Sequence, residues 1–170
     1  MQRGSFAAML AALGAVELRA QAPATPVEKK AAFTVNVAVI GLGPWGRELV
    51  NALGRIKEAK VAAICDTYPA MLKRTADNAP GAAQESDYRK ILADKNIPAV
   101  LIATPTHQHR QLVTEALAAG KLVYCEAPLA HTVDDARAIA TAARNTPTSV
   151  FQAGVQLRSD AQRHFLLPFV

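Results

Sequence analysis

Short continuous apolar runs alternate along this chain with longer stretches of helical periodicity, beginning at Thr34. Val35 to Ile40 is apolar apart from Asn36, the pattern of a strand buried on both faces rather than one alternating against water. Trp45 to Leu53 instead places Leu49, Val50 and Leu53 on one side of a helix, with Gly54 as its stop. Val61 to Cys65 predicts a second strand. Pro69 suits the opening of the next helix, and Pro80-Gly81 ends it. A short third strand is predicted near Ala82 to Gln84, before a small helix that Asp87 can cap. Ala99 to Ala103, Leu122 to Cys125 and Ser149 to Ala153 predict the fourth, fifth and sixth strands. Between the fourth and fifth, a helix from Thr106 to Ala119 carries Leu112, Val113, Ala116 and Leu117 at helical spacing and stops at Gly120. A last helix opens at Thr132, where Asp135 completes a capping box with the shorter Asp in place of Glu, and packs through Ile139, Ala140 and Ala143.

Strands this apolar, separated by amphipathic helices, form βαβ units. They imply a parallel sheet covered on both faces, with right-handed crossovers and the strand order 3-2-1-4-5-6. The expected fold class is therefore α/β, a doubly wound parallel sheet of the Rossmann type.

The first strand runs directly into Gly41-Leu42-Gly43-Pro44-Trp45-Gly46, a GxGxxG match that also opens the first helix. Gly41 permits the tight turn, Gly43 lets a pyrophosphate approach the backbone, and Gly46 lets helix and strand pack closely. Phosphates would meet free N–H groups and the positive end of the helix dipole. Pro44 removes an N–H that has no intrahelical partner in any case. Asp66 ends the second strand about twenty residues further on, where a carboxylate accepts hydrogen bonds from the adenosine ribose and repels a 2′-phosphate. The expected cofactor is thus NAD, with NADP less favoured. The alternatives are a plain glycine turn and a solvated aspartate.

Composition narrows the classes. Of 170 residues, 51% are hydrophobic and 19% charged, which fits one globular domain of 34–154 rather than a disordered chain. The net charge of +5 is scattered through the helices with no basic block interleaved with aromatics, so no nucleic-acid partner is expected. Cys65 and Cys125 each close an apolar run and read as buried reduced thiols. His107 and His109 lack further convergent ligands in their local sequence, so no metal is expected; His107 reads as a helix-start residue bonded locally. Residues 1–33 read as an export signal and linker: Arg3, an apolar run from Phe6 to Val16, then Ala20-Gln21-Ala22 before a proline-containing stretch. The run is too short for a stable membrane span. Export to the periplasm or outside is the expectation and a cytoplasmic protein the alternative; a twin-arginine route would need a second arginine beside Arg3.

Two later segments carry a more specific signal. Ala103-Thr104-Pro105-Thr106-His107-Gln108-His109 and Gly120-Lys121-Leu122-Val123-Tyr124-Cys125-Glu126-Ala127-Pro128-Leu129 resemble consecutive motifs of the Gfo/Idh/MocA oxidoreductase family, and Phe151-Gln152-Ala153-Gly154 is similar to its sixth strand. The resemblance runs from about Val35 to the end. It implies that Thr104, Pro105, Thr106 and His109 line the cofactor, and that Glu126 and Pro128 border the nicotinamide.

The chain departs from the family pattern in two places. The motif reads Glu-Lys-Pro, and its lysine positions substrate and tunes proton transfer; here that position is Ala127, so no catalytic residue is assigned. Losing such an acid/base group removes on the order of 10² to 10⁴ in rate. Lys121 lies at the other end of the short strand and is no substitute. The family also continues into a substrate domain with catalytic Asp and His, which leads to the expectation of a fragment, with 155–170 as the start of that region and any homo-oligomer forming through it. Arg158 and His164 fall there, and the apolar ending Phe165 to Val170 would be a sticky terminus. The expected function is the cofactor-binding portion of an NAD-dependent oxidoreductase acting on a sugar or cyclitol hydroxyl. The alternatives are a non-catalytic NAD-binding module or pseudoenzyme and an NAD-dependent glycosidase of the same family. A methyltransferase with a related glycine loop would leave the two later motifs unexplained.

Overall fold

The computed structural model describes residues 33–155. The expected export segment, together with Arg158, His164 and the apolar ending, lies outside them. Six strands form one parallel sheet in the order β3-β2-β1-β4-β5-β6, as the apolar runs predict. They are β1 (Val35–Ile40), β2 (Ala59–Cys65), β3 (Ala83–Glu85), β4 (Ala99–Ile102), β5 (Leu122–Cys125) and β6 (Phe151–Ala153). The connecting helices are α1 (Pro44–Leu53), α2 (Pro69–Ala76), α3 (Tyr88–Ala93), α4 (His109–Ala118) and α5 (Val133–Asn145).

Alternation along β1 sorts the core into two halves. Val37 and Val39 pack with Val50 and Leu53 of α1 and Leu72 of α2. Ala38 and Ile40 face the other way, into a cluster with Ile91 of α3, Leu112, Val113, Ala116 and Leu117 of α4, and Ile139 of α5. Helices on both faces explain why the strands carry no polar side, since neither face meets water. Val39, Val50, Val113 and Ile139 are wholly buried, each worth roughly 1.5–3 kcal/mol of apolar burial.

The differences from expectation lie at element ends, where side-chain and turn geometry outweigh periodicity. The helix expected from Thr106 begins with a 3-10 turn over Thr106–Gln108, closed by a bond from the Gln108 N–H to the Pro105 carbonyl, and turns α-helical only at His109. The helix after Pro69 ends at Ala76, and successive turns fill the path to Gly81, whose φ is +80°. The third strand lies one residue later than predicted, and β6 begins only at Phe151. The capping box at Thr132 is half formed. The Asp135 N–H donates to the Thr132 hydroxyl at 3.1 Å, but the Asp135 carboxylate accepts instead from Arg110 of α4 at 3.0 Å. The aspartate is drawn outward to a neighbouring helix rather than back to its own cap. Asp87 caps α3 as expected, accepting from the Arg89 N–H at 3.0 Å.

Among the described residues, no helix is long and apolar enough to cross a membrane.

Candidate functional site

The carboxyl ends of β1, β2 and β4 meet at the point where the strand order reverses. A crevice is forced there because the connections from β1 and β4 leave toward opposite faces of the sheet. A cavity of about 730 Å³ occupies it, lined among others by Gly41, Gly43, Asp66, Thr104 and Pro105, within the size range of small-molecule sites.

The three loop glycines do different things. Gly41 has φ +90°, and a Cβ there would stand 2.7 Å from the Ala103 carbonyl carbon and the Thr104 nitrogen. A Cβ at Gly46 would lie 1.9 Å from the Gly41 carbonyl oxygen, so this glycine is what lets α1 start against the turn. A Cβ at Gly43 would meet nothing within 4 Å. Nothing among the described residues demands glycine at that point, and the open space lies on the cavity wall directly before α1. Pro44 takes the first helical position, with no side-chain cap on the helix, so the N–H groups of Trp45 and Gly46 have no intrahelical acceptor. That end carries partial positive charge and available donors, which suits an anion.

Asp66 is joined to this loop. One carboxylate oxygen accepts from the Leu42 N–H at 2.8 Å and the other from the Tyr68 N–H at 2.9 Å. Each oxygen keeps a further lone pair, so the group is oriented and still able to accept from a ligand hydroxyl. The glycine cradle and the acidic strand end therefore share one wall of the crevice.

The other residues proposed from sequence distribute unevenly. Pro44, Trp45, Gly46 and Thr106 flank the cavity without lining it, and Trp45 is 42% exposed. His107 and His109 exchange the roles expected of them. His107 is exposed and lines the cavity, edge-on to His131 with ring centroids 6.3 Å apart. His109 is 1% exposed, with its Nε2 2.8 Å from the Thr104 carbonyl oxygen and its Nδ1 3.1 Å from that of Pro128. The reason is the 3-10 turn, which gives residues 107 and 109 different directions from those of a continuous helix. Among the described residues no three His, Cys, Asp or Glu side chains gather as a metal site.

Glu126 and Pro128 sit at the end of β5, off this cavity wall. The Glu126 carboxylate is buried, accepting from the Tyr124 hydroxyl at 2.7 Å and the Ala127 N–H at 3.1 Å. Burial, then the bond to Glu126, pushes the Tyr124 phenol well above its usual range. A Cβ at Gly154 would stand 2.5 Å from the Tyr124 hydroxyl, so the neighbouring strand end needs glycine for this pair to form. Lys121 is at the opposite end of β5. It is buried, donating to the Ile97 carbonyl at 2.7 Å and the Asp94 carbonyl at 2.5 Å, and burial holds its ammonium pKa below the ordinary value.

Sequence reasoning missed the wall formed by α3 and α4. Tyr88, Arg89 and Gln111 line the cavity. The Tyr88 hydroxyl donates to Glu115 at 2.8 Å, the Gln111 amide donates to the same carboxylate at 2.8 Å, and Arg89 stacks 4.8 Å over the Tyr88 ring. No local motif marks these residues, because they converge only when the two helices pack on the same face.

A doubly wound sheet with a glycine cradle and an acidic β2 end defines an NAD(P)-binding Rossmann domain. The profile of the oxidoreductase family with an NAD-binding Rossmann fold, GFO_IDH_MocA, matches residues 35–153, and the chain belongs to that family. It is 35% identical over 130 residues to an inositol 2-dehydrogenase from Arthrobacter sp. (strain FB24), covering 76% of this chain and 39% of that protein. It is 34% identical over 146 residues to a glycosyl hydrolase family 109 protein from Stenotrophomonas maltophilia (strain K279a), covering 79% of this chain and 31% of that one. Among solved structures, scyllo-inositol dehydrogenase from Lactobacillus casei with bound NAD(H) and scyllo-inositol superposes with a TM-score of 0.74 at 25% identity, over 80% of this chain and 41% of that one. The chain thus spans roughly 30–40% of the length of these relatives.

Proposed function

We propose that this chain is the cofactor-binding portion of an NAD-dependent oxidoreductase acting on a hydroxyl of a sugar or cyclitol. The observation that carries the reading is the open space at Gly43, on the same cavity wall as an Asp66 carboxylate already oriented by the Leu42 N–H. A pyrophosphate fits the first feature and a ribose diol the second.

In this reading the amides before α1 hold the phosphates, and Asp66 accepts from the adenosine hydroxyls. The fixed carboxylate disfavours a 2′-phosphate, which selects NAD over NADP. Thr104, Pro105, Glu126 and Pro128 border the route toward the nicotinamide, where bound NAD supplies hydride acceptance from a carbon bearing a hydroxyl. Two relatives named as inositol dehydrogenases support a cyclitol as the substrate class.

Calorimetry and the fluorescence of Trp45, the single tryptophan, test the shared premise. NAD is expected to bind and NADP to bind more weakly. Absence of heat, fluorescence change and thermal shift at millimolar NAD would reject the reading.

A second reading, a non-catalytic NAD-binding module, is favoured by Ala127, whose methyl group cannot carry a proton. Assays over a panel of polyols and sugars separate the two. Hydride transfer by the wild type rejects the inert module, while turnover only in Ala127→Lys supports it. The glycosyl hydrolase relative keeps glycoside cleavage among the activities for the same panel.

A further inference from the structure

Three side chains on the α3–α4 wall of the cavity form a closed hydrogen-bonded set. The Tyr88 hydroxyl donates to one Glu115 oxygen at 2.8 Å, while the Gln111 amide donates to the other at 2.8 Å and to the Tyr88 oxygen at 3.2 Å. Gln111 and Glu115 stand one turn apart on α4. The bond from Gln111, first among several influences, holds the Glu115 carboxyl below its usual range, so the acceptor is ionised at neutral pH.

Both hydrogens of the Gln111 amide are thus committed, and its orientation is set. Turned over, the amide would place its carbonyl oxygen against a carboxylate. That oxygen is left as an acceptor with no partner among the described residues. Gln111 is exposed and lines the cavity, so a ligand can reach it.

The position of this wall says which part of a dinucleotide it meets. Ser86 and Tyr88 line the cavity and follow β3, which pairs with β2 on the side away from β5. With the pyrophosphate at Gly43 and the adenosine ribose at Asp66, the base lies further in that direction, and the nicotinamide leaves the opposite way, toward β5. Resting on the dinucleotide reading above, we infer that the Gln111 carbonyl oxygen accepts from the exocyclic 6-amino group of the adenine, and that Glu115 and Tyr88 are positioning residues that hold the amide in this orientation. A fixed acceptor favours a base with an amino donor there over one with an oxo group, whose lone pairs would face its own.

Calorimetric titration of the full chain with NAD and with nicotinamide hypoxanthine dinucleotide, in which a 6-oxo group replaces the 6-amino group, tests this. The wild type is expected to prefer NAD about three- to tenfold, the effect of one hydrogen bond. Gln111→Leu should bring the ratio close to one. Glu115→Gln, whose own amide can donate to the Gln111 carbonyl, should lower it as well. A merely structural role would weaken both dinucleotides alike and leave the ratio unchanged; thermal denaturation run beside the titrations ensures that only folded protein is scored. Equal affinities in the wild type, or a wild-type ratio retained in Gln111→Leu, overturn the inference, and the first outcome is decisive even if neither variant folds. A wild type that binds neither dinucleotide removes the dinucleotide reading and this inference together. One that binds both equally removes the inference alone.

Discussion

Gly43 and Gly46 are chemically identical and three residues apart, yet they answer to different partners. At Gly46 the protein's own backbone fills the space a side chain would need; at Gly43 nothing does. Gly46→Ala should therefore destabilise the fold by about 1–3 kcal/mol or more through overpacking, measured by thermal denaturation. Gly43→Ala should leave stability within roughly 0.5 kcal/mol, as surface substitutions do, while weakening NAD by on the order of tenfold or more in calorimetry. Equal loss of stability in both variants would contradict this division. Asp66 permits a similar separation. Asp66→Asn keeps an acceptor but loses the charge, so the affinity ratio of NAD to NADP should fall when both nucleotides are titrated into the same protein. The GxGxxG spacing and Asp66 were readable in the sequence because a turn, a helix start and a strand end are local events. The exchange between His107 and His109 was not. Which of them is buried depends on the 3-10 turn and on where the β5 loop lies, neither of which local sequence encodes.

At the level of elements, the strands were legible to within one or two residues, since a strand buried on both faces needs an uninterrupted apolar run. The helix ends were less so. Thr132 and Asp135 have the spacing of a reciprocal cap, but the charge of Arg110 on α4 diverts the aspartate, and that competitor is distant in sequence. The predicted stripe on α5 contains one wholly buried side chain, Ile139, against α4 and the sheet. Ile139→Ala should cost about 2–5 kcal/mol, measured by urea unfolding. Lys121, at the end of β5 away from the cavity, satisfies two carbonyls. Lys121→Met should lose about 1–3 kcal/mol by leaving them unpaired while NAD affinity stays unchanged. A loss of affinity would instead connect this end of the sheet to the site.

For the molecule as a whole, the two cysteines set an alkaline limit. Burial comes first for both thiols; nearby carboxylates, Asp66 for Cys65 and Glu126 for Cys125, add to it and push each thiol up to about 12 from 9.0. Thiols whose pKa is raised in the folded state remain neutral there while the unfolded chain ionises. Their contribution is complete below about pH 9 and is lost as pH rises toward 12, by up to about 1.4 kcal/mol per thiol per pH unit. Unfolding free energies measured across that range should fall, less steeply in Cys125→Ala; at pH 8 thiol reagents should modify both cysteines only after denaturant is added. Sequence alone determined the succession of strands and helices, the parallel sheet and its order, and the glycine loop with its acidic counterpart. These follow from periodicity and from turn chemistry, which act over a few residues. Tertiary packing decided which histidine pins two loops and which meets the cavity, and how α3 and α4 complete the wall. The contacts that join these elements, His109 with Pro128 and Tyr88 with Glu115, lie 19 and 27 positions apart, and nothing in the spacing of either partner specifies the other until the helices are seated on the sheet.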